Sequence, residues 1–492
     1  MKKEKTLGSP YTLDGYLPMR TAIPLGMQHV LAMFLGNITA PLIVCAFCGI
    51  EAGSPLMVTI LQNAMMVAGL TTLLQLYPVW KFGARLPIVM GTAAGYIGVY
   101  ISVSVLLGGG LPSYEAILGA TLIGGLVEIV IACVYDKVKP LFPPLVIGTV
   151  LTAVGISLVP IAINSFAGGS GVPDYGSAQN LAIAFIVFAV SLVLNRWGKG
   201  MVQNCSMLIG IAVGYVVAGI MTATMDTTFI DAAGNAVTAS WALDWGAVAG
   251  ASWLSLPKLM PVHLRFDIRA ILPICLIYIS MTIESMASIN AITEVGLGRH
   301  VTNKEMTGGL FCDALGSSGA AIFGVLPNTT FSQNVGLVNM TKVVNRMSVA
   351  TGAVFLILCG FLPKLVAIVS IMPNAVLGGA TVMMFGQILC GGIDLIAKGG
   401  FTSRANVIVA AAIGLGYGIG ADSVALSGMP DFINLVVGGS GIIPCAFLAI
   451  LLNAVLPKGK EDLEVEERAR LADEAASAAA EKELKAKQAS VK

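Results

Sequence analysis

From residue 24 to residue 456 the chain alternates between apolar stretches and short polar loops. The apolar stretches are long enough to cross a bilayer as helices, which takes roughly 20 residues each. Fourteen segments are placed near 24–47, 55–79, 87–107, 114–135, 142–160, 179–195, 202–222, 268–293, 305–325, 327–341, 346–371, 374–397, 404–420 and 431–456. The third and the tenth break the pattern. Residues 87–96 read Pro-Ile-Val-Met-Gly-Thr-Ala-Ala-Gly-Tyr, and residues 327–336 read Pro-Asn-Thr-Thr-Phe-Ser-Gln-Asn-Val-Gly. Gly, Pro and polar side chains make poor continuous helices. A membrane tolerates such backbone only where it is buried in protein or lines a watery cavity. Broken backbone is expected in both segments, with Gln333 and Asn334 presenting hydrogen bonds to a solute.

The two interrupted segments lie about 240 residues apart and match in layout. A second pair, Pro144, Gly148 and Gly155 against Pro373, Gly379 and Gly386, repeats at an offset of about 231. Two pairs at similar offsets predict a seven-plus-seven inverted repeat, a common plan of transporters. The interrupted segments should then meet near the midplane as short extended strands, each followed by a half-helix whose N-terminus suits a polar or anionic solute.

Composition agrees with a polytopic membrane protein. Of the 492 residues 56% are hydrophobic and 11% charged, with mean hydropathy +0.86; soluble domains carry about 25% charged residues. The net charge of +1, without a basic stripe, gives no reason to expect a nucleic-acid partner. The nine cysteines are scattered, and Cys45 and Cys48 have no second pair or His cluster to make a metal site, so no cofactor or metal is expected. Residues 1–17 are polar and hold no apolar core ending in a cleavage site, so no cleaved signal peptide is expected. Alternate short loops carry Lys81/Arg85, Lys137/Lys139, Arg196/Lys199, Arg299/Lys304, Lys342/Arg346 and Lys398/Arg404, whereas 48–54, 161–178 and 421–430 carry none. Lys and Arg favour the cytoplasm, so both termini, 1–23 and the charged tail 457–492, are expected there. The long loop 223–265 is expected outside.

Few titratable residues fall within the segments: His29, Glu128, Glu284, Glu294, Asp313, Lys364 and Asp394. Each is costly in lipid and so is a functional candidate by default. Glu284 lies far from either helix end, with Ser288 one turn later on the same face. Such a carboxyl suits a group that takes up and releases a proton. Asp313 opens the segment before the polar run, and His29 sits in the first segment. Glu128, Asp394 and Lys364 read as structural or interfacial groups, and Glu294 as part of an ordinary helix end.

The residues resemble the nucleobase–ascorbate transporter family, also called nucleobase:cation symporter-2. The likeness rests on Gly26-Met-Gln-His29-Val-Leu-Ala-Met-Phe34, Gly91-Thr-Ala-Ala-Gly-Tyr96, Glu284-Ser285, Asp313 and Pro327-Asn-Thr-Thr-Phe-Ser-Gln-Asn-Val-Gly336, and extends over about 20–456. It implies an all-α polytopic membrane protein of fourteen segments, with short strands in segments 3 and 10. A core domain would comprise 24–135 and 268–371, and a gate domain 142–222 and 374–456. The resemblance further implies that Glu284 and Gln333 hydrogen-bond a nucleobase. Tyr96 would cover the base and offer its backbone N–H, as would Ser332. Asp313, His29, Asn334 and Ser288 would support the site or its coupling. Gln at position 333 resembles the xanthine and urate branch, since uracil transporters typically carry Glu there. Ala287-Ser288 and Ala93-Ala94-Gly95 depart from the common family pattern and remove polar and aromatic bulk near the base.

An oxopurine alternates N–H donors and C=O acceptors along its edges; a glutamate accepts from two N–H groups, and a glutamine amide both donates and accepts. The expected function is import of xanthine or urate by proton symport at the cell membrane, by a homodimer in the lipid bilayer. Sodium is the alternative coupling ion, and uracil or another nucleobase the alternative cargo. No enzyme motif with suitable partners is present. An anion carrier of the same architecture is the remaining alternative, although such carriers usually have a larger C-terminal domain than 457–492 provides.

Overall fold

A computed structural model describes residues 8–471 apart from 139–140, 170–171, 231–235, 423, 427, 430–440, 466 and 469–470. The first segments form α1 (Met19–Phe47), α2 (Pro55–Leu76), the strand β1 (Met90–Thr92), the half-helix α3 (Ile97–Leu106) and α4 (Gly110–Cys133). Then follow α5 (Pro144–Phe166), α6 (Ala178–Trp197) and α7 (Ser206–Thr224). The long loop carries a hairpin of β2 (Thr228–Ile230) and β3 (Ala236–Thr238). The second half comprises α8 (Ile268–Ala291), α9 (Asn303–Ile322), β4 (Asn328–Thr330), the half-helix α10 (Ser332–Thr341), α11 (Arg346–Cys359), α12 (Pro363–Ser370), α13 (Asn374–Gly399), α14 (Ser403–Ala411) and α15 (Ile442–Val455).

Eight of the described helices are long and apolar enough to cross a membrane, and the bent pair α11–α12 makes a ninth. The chain is a multi-pass integral membrane protein. The shorter pieces have physical causes. The interrupted segments leave only ten-residue half-helices, α3 and α10. The segment expected to run unbroken over 346–371 instead bends by 85° between α11 and α12. Gly360 ends the first piece, and Pro363, which has no N–H to give an earlier turn, starts the second. In the thirteenth segment α14 passes into a π-helical turn, Ala412–Tyr417. Of the fourteenth, 431–440 lie outside the described residues.

Helix starts are set by short polar caps. Ser54 accepts from Met57 N–H, Ser177 from Asn180 N–H and Asn345 from Met347 N–H, while Thr302 and Glu305 close a capping box on α9. Asp267 caps α8, and the hydrogen bond from Arg269 holds its carboxyl below the usual carboxylate range.

The helices pack in two sets. α1 lies on α11 and α2, α2 on α11, and α4 on α8 and α9; separately, α5 lies along α13, and α6 along α7 and α13. Lipid supplies no hydrophobic drive between helices, so close backbone approach matters. At the α5–α13 contact a Cβ on Gly148 would come within 2.7 Å of the Gly392 carbonyl oxygen, and one on Gly392 within 2.5 Å of Thr152 N. Polar residues on α2 tie the loop before α8 to the first set. The Asn63 amide donates to the carbonyls of Lys258 (2.8 Å) and Phe323 (2.6 Å), and Gln62 donates to Ser255 and the Gly360 carbonyl. The N-terminal stretch docks at the opposite end, where Val344 and Arg346 N–H donate to the carbonyls of Pro10 and Leu13 and Arg346 pairs with Asp14.

Candidate functional site

The two interrupted segments meet. β1 and β4 pair antiparallel, with Met90 opposite Thr330, Gly91 opposite Thr329 and Thr92 opposite Asn328. A two-stranded ribbon leaves outer backbone groups unpaired, and in a membrane interior each would cost several kcal/mol. Neighbouring side chains take them up. Asn37 on α1 accepts from Thr92 N–H (2.8 Å), Thr72 on α2 accepts from Met90 N–H (2.9 Å), and Ser317 on α9 donates to the Asn328 carbonyl (2.8 Å). The Asn328 amide donates to the Thr71 hydroxyl.

Behind each strand a half-helix begins, α3 after the tight turn Ala94–Tyr96 and α10 at Ser332. First-turn N–H groups have no intrahelical acceptors and carry partial positive charge. Both helix starts border one cavity of about 30 Å³, room for about one water. One wall belongs to the first helix set: Gly36, Ala93 to Gly95, Met281, Glu284 and Thr329 to Phe331. The facing wall belongs to the second: Val154 on α5, and Met384 and Ile388 on α13. A space this small holds no base, so a base fits only if the sets part.

Glycine shapes the first wall. A Cβ on Gly36 would come within 2.5 Å of the Phe331 ring, and one on Gly91 within 2.9 Å of it. A Cβ on Gly95 would strike the Met281 side chain at 2.5 Å and face the Glu284 carboxylate at 3.8 Å. Missing side chains thus let the Phe331 ring lie on backbone and leave Glu284 open to the turn before α3.

Of the expected site residues, Glu284 lines the cavity and is the charged residue of its wall. Asp313 is buried one layer behind, where its carboxylate accepts from the Ser285 and Thr329 hydroxyls. His29 and Asn334 are buried together: the Asn334 amide donates to the His29 carbonyl (2.9 Å) and lies 3.1 Å from its Nδ1. With the amide donating, Nδ1 accepts, and the neutral ring carries its proton on Nε2. This pair fastens α10 to α1. Tyr96 does not line the cavity. Its ring is buried against Tyr100 (centroids 5.6 Å apart) and Tyr278 (4.9 Å), so only its backbone stands near the site. Ser288 is buried on α8 beyond the lining residues. Ser332 and Gln333 occupy the first turn of α10, and their side chains lie outside what the structure describes.

Three residues were missed as site residues in the sequence. Phe331 is the aromatic that borders the cavity, and Thr329 both lines it and bonds Asp313; both stood in the quoted polar run without a role. Glu128, read as a structural or interfacial group, is 2% exposed and lies within hydrogen-bonding reach of Asp313 and Thr282. Lys364 and Asp394 sit at edges: Lys364 lies 4.7 Å from the Trp253 ring centre and Asp394 pairs with Lys398.

A family model described as "Permease family" (Xan_ur_permease) matches residues 20–424. The chain is 31% identical over 453 residues to a xanthine permease of Bacillus subtilis, covering 92% of this chain and 97% of that one. It is 32% identical over 445 residues to the uric acid transporter UacT of Escherichia coli, covering 90% and 87%. Among solved structures, the transmembrane domain of a cyanobacterium bicarbonate transporter, BicA, matches with a TM-score of 0.55 at 15% identity, covering 86% of this chain and 98% of that one. That likeness speaks to the fold, which an anion carrier shares. With its paired broken segments and the matched span, this chain belongs to the nucleobase:cation symporter-2 family of permeases, and it is a transporter rather than an enzyme.

Proposed function

We propose that the protein imports an oxopurine, xanthine or urate, by symport with a proton across the cell membrane. The observation that carries the reading is Glu284, a carboxyl in the wall of a small cavity at the ends of two paired strands, between the two helix sets. Its chemistry fits a ring edge that offers N–H donors, the half-helix N–H groups of α3 and α10 fit its carbonyls, and Phe331 supplies a face. Relatives named for xanthine and uric acid transport support this cargo.

In this reading the two helix sets act as core and gate, with 24–135 and 268–371 moving against 142–222 and 374–456. The cavity between them opens to one side at a time. The packing of α5 on α13, apart from α4 on α8 and α9, supports that division. Basic loops and termini face the cytoplasm, and two copies form a dimer.

The test is uptake of radiolabelled xanthine and urate in cells lacking their own carriers, competed by uracil, hypoxanthine, guanine and ascorbate. Uptake should collapse on adding a protonophore and ignore sodium. Sodium-dependent uptake indifferent to the proton gradient would sink the coupling, and uracil as the strongest competitor would move the cargo to the runner-up.

A further inference from the structure

Behind the cavity wall lies a pair of carboxyls. Glu128 on α4 and Asp313 on α9 are 2% and 1% exposed and lie within hydrogen-bonding reach of each other. Asp313 Oδ2 takes the Ser285 and Thr329 hydroxyls, whereas Oδ1 is buried with no donor. Among the described residues, no ion pair involves Glu128, Asp313 or Glu284. The other titratable groups nearby are acids or neutral: Tyr96 before α3, Tyr278 and Glu284 on α8, and Cys312 on α9. Two ionised carboxylates here would repel each other in a medium that screens them little, and the orphaned oxygen would stay unsatisfied. One proton removes both problems. A protonated Glu128 donates an O–H to Asp313 Oδ1, and the pair carries a single negative charge.

We infer that Glu128 and Asp313 jointly hold one exchangeable proton, a second proton site behind the substrate-facing Glu284. The inference rests on the proton-symport reading and deepens it. The pair communicates with the cavity through two hydroxyls. Thr329 lines the cavity, lies 2.8 Å from the Ser285 hydroxyl and donates to Asp313, and Ser285 follows Glu284 in the chain. Ser285 and Thr329 have one hydrogen each for three contacts, so they fill two at a time and can reorient when the pair changes charge. On unloading, the Glu128 O–H breaks, the proton leaves to water or to a Glu284 carboxylate in the cavity, and the pair gains one negative charge. No other bond changes. Glu128 is a coupling residue and touches no substrate.

The experiment uses the purified full chain, wild type and Glu128→Gln, with Asp313→Asn and Glu284→Gln for comparison. Glutamine keeps a hydrogen directed at Asp313 but cannot titrate. Infrared difference spectra across a pH titration read the protonated-carboxyl band. The expected result is that Glu128→Gln and Asp313→Asn lose the same band, which Glu284→Gln retains. In proteoliposomes a one-unit pH gradient drives roughly tenfold accumulation per coupled proton. Glu128→Gln should lose that accumulation of xanthine while losing much less of its xanthine counterflow. If Glu128→Gln does not fold, Glu128→Asp keeps a titratable group on a shorter arm, and a displaced band with a shifted pH profile of accumulation is expected. An unchanged band, or wild-type accumulation by Glu128→Gln, overturns the inference. Failure of the wild type to accumulate xanthine on a proton gradient would overturn the symport reading instead, because the infrared titration detects the shared proton whatever the cargo.

Discussion

Thr329 faces the cavity and at the same time donates its hydroxyl to Asp313, 3.0 Å away on α9. One side chain therefore joins the wall that meets the solute to a carboxyl a layer behind it. It can do so because β4 is extended: pairing with Gly91 on β1 holds Thr329 where a continuous helix would not place it.

Thr329→Val keeps the shape and β-branching but removes that hydroxyl. A buried carboxylate losing one donor is expected to cost on the order of 1–3 kcal/mol. Transport should fall with protein still in the membrane, and Thr329→Ser should restore most of it, since serine keeps the O–H. The measurement is KM and maximal rate for xanthine at matched surface expression. Equal activity of the Val and Ser variants would remove Thr329 from the coupling path.

Glu284→Gln tests the wall itself. Glutamine keeps the volume, replaces one acceptor oxygen by a donor amide and cannot titrate. Active accumulation should be lost although the protein reaches the membrane. Full accumulation by this variant, in the protonophore assay, would move the whole proton function to the carboxyls behind.

Gly36→Ala should disable transport for a steric reason. The added Cβ would sit within 2.5 Å of the tip of the Phe331 ring, which would have to swing into the cavity that a base must fill. Gly319→Ala on α9 is the matched control, because nothing lies within 4 Å of a Cβ there. Uptake and thermal stability of the two purified variants decide the point. Wild-type uptake by Gly36→Ala would mean that the Phe331 ring is free to move.

Much of the fold was legible because a bilayer penalises polar backbone so strongly. The run from Pro327 to Gly336 stands out against its apolar surroundings, and its layout repeats at Pro87 to Tyr96, so the meeting of two short strands could be anticipated. What a one-dimensional pattern cannot carry is which way a side chain faces. Glu128 falls toward one end of its segment and so reads as a structural or interfacial group with no link to the site, yet α4 turns it onto α9 and against Asp313. Tyr96 and Phe331 are both aromatics beside a break. Contacts with Tyr100 and Tyr278 draw the first ring into the helix packing, and the bare backbone of Gly36 and Gly91 leaves the second at the cavity. The bend at 360–363 had its signal in Gly360 and Pro363, but hydropathy alone runs straight through it.

Gln333 in the first turn of α10 bears on the choice between oxopurine and uracil. An amide can donate and accept, whereas an ionised carboxylate only accepts. If Gln333 meets a carbonyl of the base, Gln333→Glu sets two acceptors against each other. Xanthine and urate affinity should then fall by roughly tenfold to a hundredfold, the equivalent of about 1–3 kcal/mol for an unsatisfied buried group. This substitution alone does not make a uracil site, because Gly95, Phe331 and Met281 also bound the space a base must fill. Inhibition constants for xanthine, urate and uracil, on wild type and variant at equal surface expression, supply the test. Three unchanged constants would mean that residue 333 does not face the base, and recognition would then rest on Glu284 and the backbone N–H groups that open α3 and α10.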